Sequence, residues 1–116
     1  MTVKRIRQIF IAASDFEAQC EFFESGLGLD PQFRDGDNWA QFSAGDISFA
    51  IAGGRESMGV EVGTAIPVFE VDDLETHIEQ IKVAGGAHGE IRDMGDHGRT
   101  VLVKDPFDAP FALFQR

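Results

Sequence analysis

The sequence SDFE at residues 14–17 and the sequence DDLE at residues 72–75 lie 58 residues apart and open two segments of similar sequence. The same spacing places Gly28 in register with Gly86. Towards the end of each segment the spacing becomes 62, and it pairs Asp46, Phe49, Ala50 and Ile51 with Asp108, Phe111, Ala112 and Leu113. An internal repeat of this kind predicts two structural modules of equal size, and we expect a ligand to bind between them.

Length and composition predict one folded domain. The chain has 116 residues, of which 43% are hydrophobic, and this is enough apolar surface to build a core. Each half would be marginal alone, so we expect the halves to share a core in a single domain at residues 1–116. Module one is expected at residues 1–53, a glycine-rich linker at 54–63, and module two at 64–116.

Charge and cysteine content restrict the possible partners. The formal net charge of −10 disfavours binding to nucleic acid or to an anionic membrane surface, because both need clustered Lys and Arg. The charge is compatible with a cationic small molecule, although solubility alone also explains it. Cys20 is the one cysteine, which excludes an intramolecular disulfide, and no signal peptide or long apolar run appears. We therefore expect a cytoplasmic protein.

The first module has the pattern of a strand, a helix and three strands. Residues 5–12 are rich in β-branched residues and predict a strand. Ser14 is expected to cap the following helix, with Glu17 completing a capping box. The buried stripe of that helix is expected at helical spacing, on Phe16, Cys20, Phe23 and Leu27. Three strands are then predicted at residues 31–34, 39–43 and 47–52.

The second module repeats this order. A strand is predicted at residues 65–71, and Asp72 or Asp73 is expected to cap a helix whose stripe is Leu74, Ile78 and Ile81. A short strand at residues 88–92 is followed by strands at 100–104 and 111–115. Two such modules predict an α+β fold, with helices on one side of a mostly antiparallel sheet.

The chain resembles the vicinal oxygen chelate superfamily, which includes glyoxalase I, the bleomycin-resistance proteins and the extradiol dioxygenases. The resemblance rests on residues 14–16 after a strand, on residues 21–23 leading to 27–29, on residues 69–74, and on Asp105-Pro106 before the final strand. It implies two βαβββ modules that form a curved, mixed or antiparallel sheet, an open cup with the helices outside. It also implies a bound small-molecule ligand and, for a chain this short, a homodimer. Pro110, where relatives often differ, is expected at a strand start or edge.

The resemblance also gives the positions of a metal site, one on the first and one on the last strand of each module. Those positions fall on Gln8, Ala50, Ile66 and Ala112, and the two spacings of the internal repeat connect them in the same pairs. Alanine and isoleucine have no donor atoms, and one neutral amide oxygen cannot hold a catalytic divalent ion. We therefore predict no metal and no cofactor.

The three histidines do not form a recognised ligand pattern. His77 lies off the apolar stripe of its helix, so we expect it to be exposed. His88 and His97 flank three carboxylates, those of Glu90, Asp93 and Asp96. This segment is either a solvated acidic loop or a metal-binding loop, and His97 could instead act as a general base or contact a ligand. Cys20 belongs to the helix stripe and is expected to be a packed thiol.

Several residues are candidates for lining the cup. Gln8 and Phe10 share one face of the first strand, and Trp39 and Gln41 share one face of a later strand. Glu70 shares a face with Ile66 and could supply negative charge or act as an acid or base. Arg99, beside His97, is the candidate positive contact, although it could only balance nearby acids. The predicted ligand-binding residues are Gln8, Phe10, Trp39, Gln41, His97 and Arg99, and the catalytic candidates are His97 and Glu70.

Three functions remain open at this point. The first is a metal-free small-molecule binding protein that resembles the bleomycin-resistance type and sequesters an antibiotic or an aromatic metabolite. The second is a lyase, isomerase or dioxygenase-like enzyme that acts on a small oxygenated metabolite through residues such as Glu70 or His97. The third is a protein whose cup is vestigial. The missing metal ligands disfavour metal-dependent catalysis of the glyoxalase type.

Overall fold

Strand β1 (Val3–Ala12) contributes to both of the compact units into which the chain divides. The computed structural model describes residues 2–116. We call Gln8–Ile66 the N-terminal unit, and residues 2–7 together with Pro67–Arg116 the C-terminal unit. The assignment of all residues to a single domain stays a prediction.

The N-terminal unit has one helix and a mixed sheet. After β1 come helix α1 (Phe16–Gly26) and strands β2 (Asp30–Asp35), β3 (Trp39–Ala44) and β4 (Ile47–Ala52). The strand order is β2-β3-β4-β1, in which β1 and β4 are parallel and the other pairs are antiparallel. The predicted strand–helix–three-strand pattern is therefore confirmed for this unit.

The C-terminal unit repeats the pattern with one difference. Its elements are β5 (Ala65–Val71, from Pro67 onward in this unit), α2 (Leu74–Val83), β6 (Ala87–His88), β7 (Arg92–Asp93), β8 (Arg99–Lys104) and β9 (Pro110–Gln115). The order is β5-β9-β8-β6, and β7 also pairs with β8. The prediction of one strand at residues 88–92 was wrong, because two short strands flank residues 89–91 instead. Pro110 begins β9, as predicted. The α+β fold class is confirmed.

Strand pairing confirms the internal repeat. In the N-terminal unit Phe10 lies opposite Ala50, and in the C-terminal unit Val68 lies opposite Ala112. The first members of these pairs are 58 residues apart and the second members are 62 apart, the same spacings that the sequence shows. The parallel contact between the first and last strands is therefore the same in both units.

The helix caps also repeat, but the predicted capping box was wrong. Asp15, and not Ser14, is the N-cap of α1, where its side chain accepts a hydrogen bond from the Ala18 amide at 3.1 Å. Gln19 closes the turn by accepting from the amides of residues 14 and 15, while Glu17 pairs with Arg34. Asp73 caps α2 in the same way.

Each unit has a core between its helix and its sheet. In the N-terminal unit the buried cluster is Cys20, Ala40, Phe42 and Ile51, which confirms Cys20 as a packed thiol. In the C-terminal unit the cluster is Val71, Leu74, Ile78, Val101, Val103 and Leu113. Within residues 2–116, no helix is long and apolar enough to cross a membrane.

Two predictions about the helix stripes were wrong. Leu27 lies beyond the end of α1 and is 65% exposed, and Leu29 packs on the core in its place. His77 is buried, with 9% exposure, because it follows Leu74 by three residues and completes the buried stripe of α2. The Nε2 atom of His77 has no hydrogen-bond partner within residues 2–116 and lies 3.6 Å from Asp72 Oδ1.

Gly53 holds the start of β3 against the end of β4. Its amide donates to the Asn38 carbonyl at 2.9 Å, and a Cβ atom added at Gly53 would lie 2.2 Å from the Asp37 carbonyl oxygen. The backbone of Gly53 is extended, so any residue could adopt its conformation. The constraint on this position is therefore steric, and it acts on the backbone immediately before Trp39.

We predict that Gly53→Ala lowers the free energy of unfolding by about 1–3 kcal/mol, because the new methyl group must displace backbone. Gly26→Ala is the matched control. A Cβ atom there would contact only the Phe22 ring at 3.7 Å, so that variant should be neutral or slightly more stable. Urea denaturation of both variants measures the difference, and equal stability would contradict the steric explanation.

Candidate functional site

The candidate site is the face of the N-terminal sheet that points away from α1. Ile11, Ala40 and Ile51 pack with the helix, so the alternation of side chains along β1, β3 and β4 places their neighbours on the opposite face. We call this opposite face the Trp39 face. It carries Gln8, Phe10, Trp39, Gln41, Ser48 and Ala50.

Neutral side chains form a hydrogen-bond network on the Trp39 face. The Trp39 indole N–H donates to Gln41 Oε1 at 3.1 Å, and Gln41 Nε2 donates to Gln32 Oε1 at 3.1 Å. Ser48 Oγ lies 3.4 Å from Gln41 Nε2 and 3.3 Å from Gln32 Oε1. Gln41 is thereby held at both ends, and its oxygen fixes the position of the half-buried indole.

Gln32 reaches this network through a β-bulge. The pairing of β2 with β3 shifts between Pro31 and Phe33, so Gln32 is the extra residue between the pairs Pro31–Phe42 and Phe33–Gln41. Gln32 and Ser48 were not among the predicted site residues. Ser48 could have been found, because it alternates with Ala50 along a strand. Gln32 could not, because nothing in the local sequence marks the bulge.

The Phe10 ring packs against the Trp39 indole. Its ring centroid is 5.9 Å from that of Trp39, and its own exposure is 2%. The Phe10 ring is therefore buried in this structure, and its predicted contact with a ligand stays a prediction. Ala50, opposite both Phe10 and Gln41, is fully buried.

Gln8 is a polar residue of this face whose side chain has no hydrogen-bond partner within residues 2–116. It is half-buried and lies opposite Ser48 in the β1–β4 pairing. A half-buried amide with an open donor and an open acceptor is a suitable contact for a ligand.

The positions of the family metal site do not fit a metal ion. Ala50, Ile66 and Ala112 have no donor atoms, and all three are fully buried. Across residues 2–116, no three His, Cys, Asp or Glu side chains come together in a group that could hold a metal ion. The loop with His88 and His97 is included in this finding, and within it Asp93 instead accepts a hydrogen bond from the Gly95 amide. A divalent ion needs several oxygen, nitrogen or sulfur ligands, and Gln8 supplies one.

Glu70 lies in the C-terminal unit and is ion-paired. Its Oε1 accepts from Arg5 at 3.0 Å and from Arg7 at 3.4 Å, and its side chain is 13% exposed. Burial raises the pKa of Glu70, but the hydrogen bonds and charges of the two arginines outweigh it and leave the pKa below the usual value. A carboxylate held in this state is a weak proton acceptor.

His97 and Arg99 also lie in the C-terminal unit, on either side of Gly98. His97 is exposed in a single turn of 3-10 helix at Gly95–His97. Gly98 has φ +91°, and a Cβ atom there would lie 2.7 Å from both the Gln115 oxygen and the Phe114 ring. Glycine at this position therefore lets the loop with His97 pack directly against Phe114.

The Arg99 side chain lies on the face of its sheet that packs against α2, and it forms hydrogen bonds there. It alternates with Val101, which packs under α2, and its Nη2 donates to Glu75 Oε1 and to Gln115 Oε1, both at 3.0 Å. Gln115 Oε1 also accepts from the Leu74 amide at the start of α2. The guanidinium thus connects β8 and β9 to the helix, which corresponds to the charge-balancing alternative for this residue.

The comparisons with known proteins agree with the architecture. The sequence profile of the Glyoxalase/Bleomycin resistance protein/Dioxygenase superfamily matches residues 5–113. The chain therefore belongs to this superfamily, and the resemblance found in the sequence is confirmed. No curated protein sequence matches the chain significantly.

Solved structures with little sequence identity share the fold. A glyoxalase/bleomycin resistance protein/dioxygenase superfamily member from Vibrio splendidus has a TM-score of 0.73 at 15% identity, over 99% of this chain and 100% of its own. Methylmalonyl-CoA epimerase from Mycobacterium tuberculosis has a TM-score of 0.71 at 14% identity, over 97% and 88%. The Streptomyces coelicolor methylmalonyl-CoA epimerase, in complex with 2-nitronate-propionyl-CoA, has 0.70 at 17%, over 98% and 95%. These likenesses show the fold.

We predict a pH-dependent contribution of the Arg99–Glu75 pair to stability. The hydrogen bond from Arg99 is the main cause that lowers the pKa of Glu75 from 4.5 to about 2. The stabilisation is therefore complete above about pH 4.5 and is lost as the pH falls towards 2. Denaturation at several pH values should show that wild type exceeds Glu75→Gln by an amount that shrinks over this interval. Arg99→Gln should behave in the same way, and pH-independent differences would contradict the assignment.

Proposed function

We propose that the protein is a metal-free small-molecule binding protein of the glyoxalase/bleomycin-resistance type, with its ligand on the Trp39 face. The observation that carries the proposal is the indole held in place by Gln41 on the same sheet face as the unpartnered amide of Gln8. This arrangement offers an aromatic surface and open hydrogen-bonding groups. Of the four superfamily metal positions, only Gln8 has a side-chain donor atom, and one such atom cannot hold a catalytic divalent ion.

The chemistry of the face favours an aromatic ligand with polar substituents. An indole provides stacking area, and a cation placed over its ring gains further attraction. Glutamine and serine side chains donate and accept hydrogen bonds without charge. The net charge of −10 attracts cations, so a cationic aromatic antibiotic or metabolite is the preferred class.

An enzymatic function has weaker support in this chain. Methylmalonyl-CoA epimerases share the fold, so a lyase, isomerase or dioxygenase-like activity is the second candidate. It would require an acid or base, and the predicted ones are Glu70 and His97. Glu70 is held as a carboxylate by two arginines, and His97 lies on an exposed turn with no side-chain hydrogen bond within residues 2–116. A homodimer remains an expectation from the family.

The fluorescence of Trp39 offers a direct test. The chain has one tryptophan and no tyrosine, so its emission reports on this face alone. Titration with cationic aromatics, neutral aromatic amides, small carboxylic acids and CoA thioesters should show saturable changes with the first class. The affinity should be the same with and without EDTA. Loss of binding in EDTA, or binding that needs an added metal, would overturn the proposal.

Variants identify the residues that bind. We predict that Gln41→Leu weakens ligand binding by about five- to tenfold, because the indole loses its hydrogen-bond acceptor and the network is broken. Gln80→Leu, at an exposed glutamine of α2, is the matched control and should bind as wild type does. Isothermal titration calorimetry measures both. Equal affinity in the two variants would exclude the Trp39 face as the binding site.

A further inference from the structure

Two arginines lie over one phenylalanine ring in the C-terminal unit, and a third arginine shares an acidic partner with one of them. The Arg7 guanidinium lies over Phe114 with its Cζ 4.2 Å from the ring centroid, and Arg116 lies over the same ring at 5.8 Å. Arg5 and Arg7 share Glu70 Oε1, and Glu70 is the residue opposite Phe114 in the β5–β9 pairing. We call Arg5, Arg7, Arg116, Glu70 and Phe114 the arginine cluster.

The charges of the arginine cluster are not balanced. Its side chains include three guanidinium groups and one carboxylate, and within residues 2–116 no Asp or Glu side chain pairs with Arg116. Burial and then the charge of Arg116 lower the pKa of Arg7, so the positive charges already repel one another. The Arg7 side chain is 24% exposed, which keeps it accessible to a solute.

We propose that the arginine cluster binds an oxyanion, a carboxylate or phosphate group of a small molecule, between Arg7 and Arg116. Guanidinium groups bind such anions through two parallel N–H groups, and stacking on an aromatic ring orients them for this purpose. The anion would reduce the repulsion between Arg7 and Arg116. This site lies in the C-terminal unit and does not depend on the ligand proposed for the Trp39 face.

The cluster is built into the fold and is not a chance group of surface side chains. Phe114 is 5% exposed, and its ring is enclosed on one edge by the backbone of Gly98. Arg7 is fixed by the ring and by Glu70, so its orientation is set before a ligand arrives. Glu70 acts as an internal anion that competes for the same guanidinium groups. Its removal should therefore increase the affinity for an external anion.

Nuclear magnetic resonance with inorganic phosphate, methyl phosphate and acetate tests the proposal. In 15N-labelled protein, each anion is compared with sodium chloride at matched ionic strength. We expect saturable shifts of the Arg7 Nε–Hε and of the amides of Phe114 and Gln115. A stronger effect of the phosphates would identify a phosphate site, and a stronger effect of acetate a carboxylate site. Shifts no larger than those with chloride would overturn the proposal.

Variants with opposite expected effects complete the test. Arg7→Gln should weaken anion binding at least about tenfold. Arg116→Gln, at an exposed residue, should weaken it about threefold or more. Glu70→Gln should tighten it by about three- to tenfold, which a general loss of structure cannot produce. Lys104→Gln removes the same charge at the opposite end of the β8–β9 pair and should change nothing. Equal weakening by Lys104→Gln and Arg7→Gln, or no tightening by Glu70→Gln, would contradict the site.

Discussion

Parallel pairing between the first and the last strand of each module is the constraint on which the rest of the structure depends. It places Phe10 opposite Ala50 in one unit and Val68 opposite Ala112 in the other. Both alanines are fully buried, and helix α1 or α2 packs through the residues beside them. Longer side chains at these alanines would have to displace closely packed neighbours. Two of the four positions that the resemblance assigns to a metal site, Ala50 and Ala112, therefore contribute to packing in this chain.

The two units use the same scaffold position in different ways. In the N-terminal unit Trp39 lies opposite Ala52, so the large ring is on β3 and the small residue is on β4, the last strand of the unit. In the C-terminal unit Thr100 lies opposite Phe114, which reverses the arrangement. One ring is surrounded by neutral amides and a hydroxyl group, the other by arginines. The two units therefore share an architecture and differ in the side chains that surround this position.

Much of the fold could be predicted, because strand alternation, helix spacing and glycine positions are local signals. The predicted bounds of β4 and β5 agree with the structure. Leu27 and His77 were misplaced because the end of α1 and the width of the α2 stripe depend on tertiary packing. The site was less predictable. Trp39 and Gln41 follow from alternation, whereas the bulge at Gln32 and the convergence of Arg7 and Arg116 on one ring depend on contacts that local sequence does not mark.

In the proposed function, the Trp39 face binds its ligand without a metal ion. Elemental analysis of protein purified without chelator tests it most directly, provided that the protein is desalted and its concentration is measured independently. Gln8 is the one residue with a side-chain donor atom among the four superfamily metal positions. We therefore predict Ni, Zn, Fe and Mn contents well below one ion per chain. A stoichiometric amount of any of these metals, retained on desalting and removed by EDTA together with ligand binding, would contradict the account.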